Sequence, residues 1–495
     1  MTASRSATWT LVASILGSSL VFIDGTVVSI ALPVLQRDFG ASSSDAQWVI
    51  EAYTLVLGAL MLLSGSLADR FGRKRLFLSG TVVFAFGSLA CAFAPSMQLL
   101  IAARLLQAAG GTLLTPASLA MLTACFQGEA RGKAIGTWSA FTAISAAVGP
   151  IAGGMLLDHV GWRWVFGINL PIALAVLLVA IAHVRESRDE QMAGRLDLMG
   201  SFLVTFGLAA LVYGTIAASS FPWYDPRVVP AAAFGIVALA AFWMFEGRTK
   251  APMLPHALFA SSQFTGINIM TLLLYGSLSA LFYFLPFVMI QVDGYSATVT
   301  GLSLLPFVVL LFVLSRFAGG LTYRIGARIL LASSTVLVGL GYVAFALLGD
   351  LRYWDSIFPA TIVVGLGMGF TVAPLTTTVM ESVPANDVGL ASGINNAASR
   401  VAGLLAIAAF GFVLSSVFDA RLTGGLNRAG VTGSVRAQVD RQRERLAGAQ
   451  VDDPGARRAV LDAYRDGFRI VAFGCGALAF ASAAVALRFL PARTR

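Results

Sequence analysis

Charge is scarce in this chain: only 12% of its 495 residues are Asp, Glu, Lys or Arg, about half the share usual in a soluble globular protein. With 57% hydrophobic residues and a mean hydropathy of +0.80, that scarcity excludes a soluble fold and leaves an all-α polytopic membrane protein. Histidine is scarcer still. His159, His183 and His256 stand near the ends of apolar runs and form neither a metal constellation nor a catalytic triad. Cys91, Cys125 and Cys475 show no metal-ligand spacing and read as small core residues. No stretch matches the nucleotide-binding P-loop, which argues against direct ATP drive. These gaps speak against an enzyme, a metal and an organic cofactor.

The charge that is present is mostly basic, with 34 Lys and Arg against 25 Asp and Glu. It sits largely between apolar runs, so it reads as membrane orientation rather than as a nucleic-acid surface. A span needs roughly 20 predominantly apolar residues, and about fourteen runs qualify. The first extends from Trp9 to Leu35 without a convincing cleavage site and is expected to be an uncleaved helix. Runs follow near 47–68, 76–94, 98–124, 133–157 and 164–183, then 197–218 and 228–245. The last six lie near 264–290, 297–321, 328–348, 356–381, 388–418 and 468–490. The expected organisation is a six-helix bundle over 1–184, a linker with two extra spans over 185–262, and a second six-helix bundle over 263–495 that includes an extracytoplasmic loop at 419–466.

Arg70, Arg73, Lys74, Arg75, Arg131, Lys133, Arg185, Arg188, Arg195, Arg248, Lys250, Arg324 and Arg328 fall on one side of these spans. The opposite short loops hold only Arg37, Arg163, Arg227 and Arg352. The crowded side is expected to be cytoplasmic, with both termini there. The Arg-rich 419–466 stretch lies opposite, and long loops translocate largely regardless of charge; its Arg441–Arg445 run reads as a solvated or membrane-surface helix.

Between the second and third runs stands Gly65-Ser-Leu-Ala-Asp-Arg-Phe-Gly-Arg-Lys-Arg75, five charges in a tight turn. A weaker copy, Gly319-Gly-Leu-Thr-Tyr-Arg-Ile-Gly-Ala-Arg328, lies 254 positions further on, with Tyr323 in place of the acidic residue. Gly132 and Gly136 are echoed by Gly389 and Gly393 at nearly the same offset, so the chain reads as a duplication. The first stretch resembles the loop between helices two and three of the major facilitator superfamily. Asp24-Gly-Thr-Val-Val-Ser-Ile-Ala-Leu-Pro33 resembles the first-helix motif of that superfamily's fourteen-helix drug:proton antiporter family, and Trp162-Arg-Trp-Val-Phe-Gly-Ile-Asn-Leu-Pro171 its signature at helix six. Gly149-Pro-Ile-Ala-Gly-Gly154 is similar to the antiporter motif of helix five, with Ser145 where a glycine usually precedes it, and Arg104-Leu-Leu-Gln107 to the helix-four motif, with Ala108 and Ala109 in place of the glycine expected directly after Gln107. Gly365-Leu-Gly-Met-Gly369 and Gly393-Ile-Asn-Asn396 carry looser likenesses in the second half.

Ionisable groups inside spans are costly and default to function. Asp24, Glu51, Arg104 and Arg400 stand there. At 1.5 Å per residue Asp24 lies about 16 Å, Arg104 about 9 Å and Glu51 about 6 Å from the outer end of its run, all in the outer half of the first bundle. A carboxylate near an arginine, in a cavity alternately wet and dry, can load and release a proton. Each has a bland alternative: packing or capping for Asp24, reach to water for Glu51, structural hydrogen bonding for Arg104. Arg400 fits an anionic group and backbone carbonyls equally. Gln107, Trp138, Phe141, Tyr275, Tyr283, Asn396 and Arg400 are candidates for a substrate cavity.

The resemblance implies a latch on the cytoplasmic side made by Gly65, Asp69, Arg70, Gly72, Arg73 and Lys74, and an opposite seal shaped by Gly149, Pro150, Gly153 and Gly154. It also implies a proton-coupled exporter of lipophilic, often cationic compounds, working by alternating access. The expected partners are a small-molecule substrate, protons and membrane lipids, with no nucleic acid; the chain is expected to be a monomer, with a periplasmic adaptor left open. Two other readings remain at this point: a dedicated exporter of an endogenous lipid, siderophore or antibiotic, and a membrane sensor on a transporter fold.

Overall fold

A bilayer core offers no water to the backbone, so an apolar run inside it must satisfy every peptide group by helical hydrogen bonds. The structure, a computed structural model, describes residues 3–188, 197–219, 221–222, 224–249, 252–347, 352–384 and 387–491, and all regular structure among them is helical. The long helices are α1 (Ala3–Phe39), α2 (Ser43–Phe71), α3 (Arg73–Ala92), α4 (Met97–Cys125), α5 (Gly128–His159), α6 (Asn169–His183), α7 (Leu198–Ala217) and α8 (Val229–Glu246). They continue as α9 (Ser262–Phe287), α10 (Leu305–Ile325), α11 (Ala327–Leu347), α12 (Phe358–Glu381), α13 (Val388–Arg428) and α14 (Pro454–Phe489). Thirteen helices among the described residues are long and apolar enough to cross a membrane. Helix α2 is also 29 residues long, which is consistent with the fourteen apolar runs of the sequence. The chain is a multi-pass membrane protein, and large apolar side chains such as Phe86, Phe317 and Val237 point outward, each more than 60% exposed, as a lipid-facing surface requires.

Local chemistry sets several helix ends. Ser96 Oγ accepts from Leu99 N at the start of α4, Ser261 Oγ accepts from Phe264 N before α9, and Asp453 Oδ1 accepts from Ala456 N before α14. The duplicated loop shows itself in the backbone: Gly72 (φ +107) separates α2 from α3, and Gly326 (φ +86) separates α10 from α11. A positive φ is accessible to glycine at no steric cost, so each copy keeps a glycine at its corner.

The chain forms two compact units. The first comprises Met1–Ala31, Trp48–Leu208 and Val237–Met253; the second comprises Leu32–Gln47, Ala209–Ile236 and Leu254–Arg495. In the first, α3 and α4 pack most closely, burying Phe77, Phe84, Leu114 and Met121 beside Val176 of α6. The second buries Phe264, Ile267, Met270, Leu331, Leu375 and Val379 between α9, α11 and α12.

The 419–466 stretch is more ordered than a loop. Helix α13 runs for 41 residues, roughly 60 Å at 1.5 Å per residue, about twice a hydrocarbon core. A nine-residue helix, Gly433–Arg441, and a 3-10 turn, Arg443–Gly448, follow before α14. Inside the strap Arg443 Nε pairs with Asp440 Oδ1 at 2.7 Å, and Arg465 Nη2 ties its end to Asp293 Oδ1 at 2.8 Å. Gln36 Nε2 also donates to the Arg445 carbonyl at 3.1 Å, and Gln291 Nε2 to the Pro33 carbonyl at 3.1 Å. The end of α1 is therefore held by the strap.

Candidate functional site

Helices α3 and α4 approach so tightly at Gly87 that a Cβ there would lie 2.5 Å from Gln107 Cα. That closeness sets Ser88 and Gln107 side by side, and α1 and α6 complete the ring. Asp24 of α1 accepts from Arg104 Nη1 at 2.5 Å on Oδ2, and on Oδ1 from Gln107 Nε2 at 2.7 Å and Asn169 Nδ2 at 2.9 Å. Gln107 Oε1 accepts from the same Arg104 Nη1 at 2.6 Å, while Ser88 Oγ accepts from Gln107 at 2.7 Å and from Asn169 at 3.2 Å. Arg104 is held from two further directions. Its Nε donates to the Val49 carbonyl at 3.1 Å, and its guanidinium lies 4.0 Å from the Tyr53 ring centroid, with Phe166 at 5.9 Å. All of Asp24, Ser88, Arg104, Gln107 and Asn169 are buried.

Glu51 stands apart from this network. Val49 and Tyr53, four residues apart on one face of α2, both meet Arg104; Glu51 is rotated about 200° from Val49 and faces away. Its side chain is buried, and neither carboxylate oxygen has a hydrogen-bond partner among the described residues. The sequence reading grouped Asp24, Glu51 and Arg104 together. The structure joins Asp24 to Arg104 and adds Ser88, Gln107 and Asn169 to them, leaving Glu51 alone. The arrangement therefore offers two kinds of carboxylate. Protonating Asp24 disturbs a network of charge-assisted bonds, whereas a proton can join or leave Glu51 without breaking any.

The motif residues of α5 sit against α1. A Cβ on Gly153 would lie 2.6 Å from Val27 Cγ2, and one on Gly149 would lie 3.0 Å from the Ile23 carbonyl and strike Thr26 Oγ1. Pro150 lies inside α5, and both Pro150 and Gly154 are buried. Ser145, the departure from the motif, donates to Ser19 Oγ at 2.7 Å and so ties the same two helices. Replacing Gly149 with valine is expected to force α1 and α5 apart, carrying Asp24 with α1. A melting temperature lowered by several degrees and lost transport are the expected readings; a wild-type melting temperature would contradict the close packing.

At the corner between α2 and α3 the turn caps two helices at once. Glu186 accepts from the backbone N–H of Lys74 and of Arg75, each at 3.0 Å, placing a carboxylate on the first turn of α3, where a negative charge is favoured. Lys74 Nζ donates to the Ile181 and Val184 carbonyls at 3.1 and 2.7 Å, a cation at the end of α6. A Cβ on Gly72 would meet the Glu186 carboxyl at 2.9 Å, a second reason for glycine there. Arg70 lies 5.6 Å from the Phe71 ring centroid, and Arg73 N donates to the Ser187 carbonyl. Gly65 and Asp69 are in the last turns of α2, but the Asp69 side chain lies outside the described residues, as do Arg195 and the side chain of Tyr323.

The candidate cavity residues separate. Gln107 belongs to the Asp24 network. Trp138 Nε1 donates to Ser18 Oγ at 3.0 Å, and Phe141 is half exposed. Tyr283 is buried against Phe284 and Phe287. Tyr275 and Asn396 share a cavity in the second unit, and Arg400 lies half-buried on α13. Ser88 and Asn169 were not foreseen; Asn169 carried a signal, a carboxamide inside an apolar run, whereas Ser88 carried none.

Comparison with known proteins agrees with this architecture. The family model described as Major Facilitator Superfamily matches residues 14–407. The chain is 34% identical over 437 residues to the multidrug resistance protein Stp of Mycobacterium tuberculosis, covering 86% of this chain and 79% of that one. It is 38% identical over 409 residues to the puromycin resistance protein pur8 of Streptomyces alboniger, covering 81% and 80%. In fold it is similar to the crystal structure of a bacterial homolog of the human lysosomal transporter Spinster, in an inward-facing and unoccupied conformation, with a TM-score of 0.68, 16% identity and 98% of each chain covered.

Proposed function

The chain belongs to the Major Facilitator Superfamily, and from that premise we propose that it is a proton-coupled exporter of lipophilic, often cationic compounds, expelling them by alternating access in exchange for protons. The observation that carries the reading is the contrast between two buried carboxylates of the first unit, Asp24 in a five-residue network and Glu51 with no hydrogen-bond partner among the described residues. In this reading Glu51 takes the proton and Asp24 with Arg104 holds α1 and α4 in register while it moves. The exporter is a monomer of the cytoplasmic membrane with both termini inside, needs no cofactor and does no enzymatic chemistry. Its turn at Gly72–Lys74 works as the inner latch.

A second reading rests on the relatives. One is named for multidrug resistance and another for resistance to a single antibiotic, puromycin, and export of one endogenous compound would use the same proton step. Purified protein in liposomes, with an imposed pH gradient and a fluorescent lipophilic cation, tests the first. Cation movement that collapses when nigericin dissipates the gradient is expected. Equal rates with and without the gradient would remove proton coupling, and movement of one natural product but no cation would favour the second reading.

A further inference from the structure

The second unit contains a small polar cavity of about 100 Å³ where α9, α12 and α13 meet. Its wall is formed by Tyr275, Thr376, Ser392, Asn395, Asn396 and Ser399, with Val379 as its apolar member. Positions 392, 395, 396 and 399 recur at helical spacing and so present one face of α13. Every wall residue except Val379 carries a hydroxyl or a carboxamide, and none carries a charge.

The hydrogen bonds these groups already make define what they have left to offer. Part of the donor capacity is spent: Asn395 Nδ2 uses both its protons, on Asn268 Oδ1 at 3.1 Å and Thr271 Oγ1 at 2.8 Å, and Asn396 Nδ2 uses one of its two on the Ser392 carbonyl at 3.0 Å. Thr376 and Ser399 spend their hydroxyl protons on the carbonyls of Val372 and Asn396. The carboxamide oxygens of Asn395 and Asn396 and the hydroxyls of Tyr275 and Ser392 make no protein hydrogen bond among the described residues, which leaves acceptors in excess: two oxygens that only accept and two hydroxyls that accept or donate. Such a surface matches a ligand group that brings O–H or N–H donors. An ammonium also brings donors, but the wall holds no carboxylate to offset the cost of burying it.

We propose that this cavity is a specificity subsite that receives a neutral hydroxyl- or amide-bearing arm of the exported compound. The inference rests on the exporter reading given above. At roughly 30 Å³ per water in the liquid, the space suits one substituent of a few heavy atoms rather than a whole drug. The preferred substrate is then amphipathic, its apolar body outside the cavity and its hydrogen-bonding arm within.

The test uses the full-length purified protein and two probes: chloramphenicol, a neutral compound with two hydroxyls and an amide N–H, and tetraphenylphosphonium, a cation with no donor. Tyr275→Phe and Ser392→Ala each remove a hydroxyl that bonds nothing among the described residues, so melting temperatures should stay at the wild-type value. The double variant is expected to bind chloramphenicol about tenfold more weakly, the scale of two modest hydrogen bonds, with a clearly smaller loss for tetraphenylphosphonium. Unchanged chloramphenicol affinity would overturn the subsite, as would an equal loss for both probes. Wild type that binds and transports tetraphenylphosphonium but does not bind chloramphenicol would also overturn it while leaving the exporter reading intact; a folded wild type that binds neither would overturn both.

Discussion

Arg104→Leu is expected to abolish transport and to yield little folded protein, because it leaves Asp24 buried without its charge partner. Breaking a buried ion pair by removing one member costs about 3–5 kcal/mol, and here the same guanidinium also serves Gln107, the Val49 carbonyl and the Tyr53 ring. Arg104→Lys is not expected to restore function. A single ammonium cannot donate to Asp24, Gln107 and the Val49 carbonyl at once from a planar fork, nor stack on Tyr53 in the same pose. Adding Asp24→Asn to Arg104→Leu should recover folded protein, read as a monodisperse peak in size exclusion and a restored melting temperature, without recovering transport. If Arg104→Leu alone folded and transported normally, the network would be dispensable.

The second large effect runs the other way. Glu51→Gln should fold at least as well as wild type, since neither carboxylate oxygen has a hydrogen bond to lose. Gradient-driven transport should nevertheless fall by roughly 100-fold or more, the scale at which a positioned proton-transfer group contributes. Equilibrium exchange of labelled substrate between two equal pools, which needs no net proton movement, should persist. A Glu51→Gln protein that still concentrates substrate against its gradient would reassign the proton to Asp24. The two carboxylates thus differ in what they are expected to report: one variant fails in folding and transport, the other in coupling alone.

Much of this was legible in the sequence for physical reasons. Apolar runs near the thickness of a bilayer marked the helices, and the glycine corner at Gly72 and its copy at Gly326 could be read because only glycine takes a positive φ freely. Asp24 and Arg104 stood out because charge inside a span is rare. What joins them did not stand out. Asn169 and Ser88 are neutral, and their part depends on α3, α4 and α6 meeting in space, which no spacing along the chain encodes. Glu51 could be placed on α2 but not turned away from Arg104 without knowing that Val49 and Tyr53 face it. The 419–466 strap read as a loop because its charges break the apolar pattern; those charges pair Arg443 with Asp419 and Asp440 inside it and Arg465 with Asp293 outside it. The partner of Lys74 and Gly72 at the corner, Glu186, lies more than 100 positions away, beyond any local motif.

The central claim is that substrate leaves as protons enter through Glu51, and the most direct measurement follows the proton itself. Liposomes holding the purified protein and a trapped pH-sensitive dye are prepared at equal internal and external pH, and a gradient of a transported lipophilic cation is imposed. Wild type is expected to move protons in the direction opposite to the cation until the two gradients balance, and Glu51→Gln to give no pH change. Cation movement by wild type with the internal pH constant would contradict proton exchange outright.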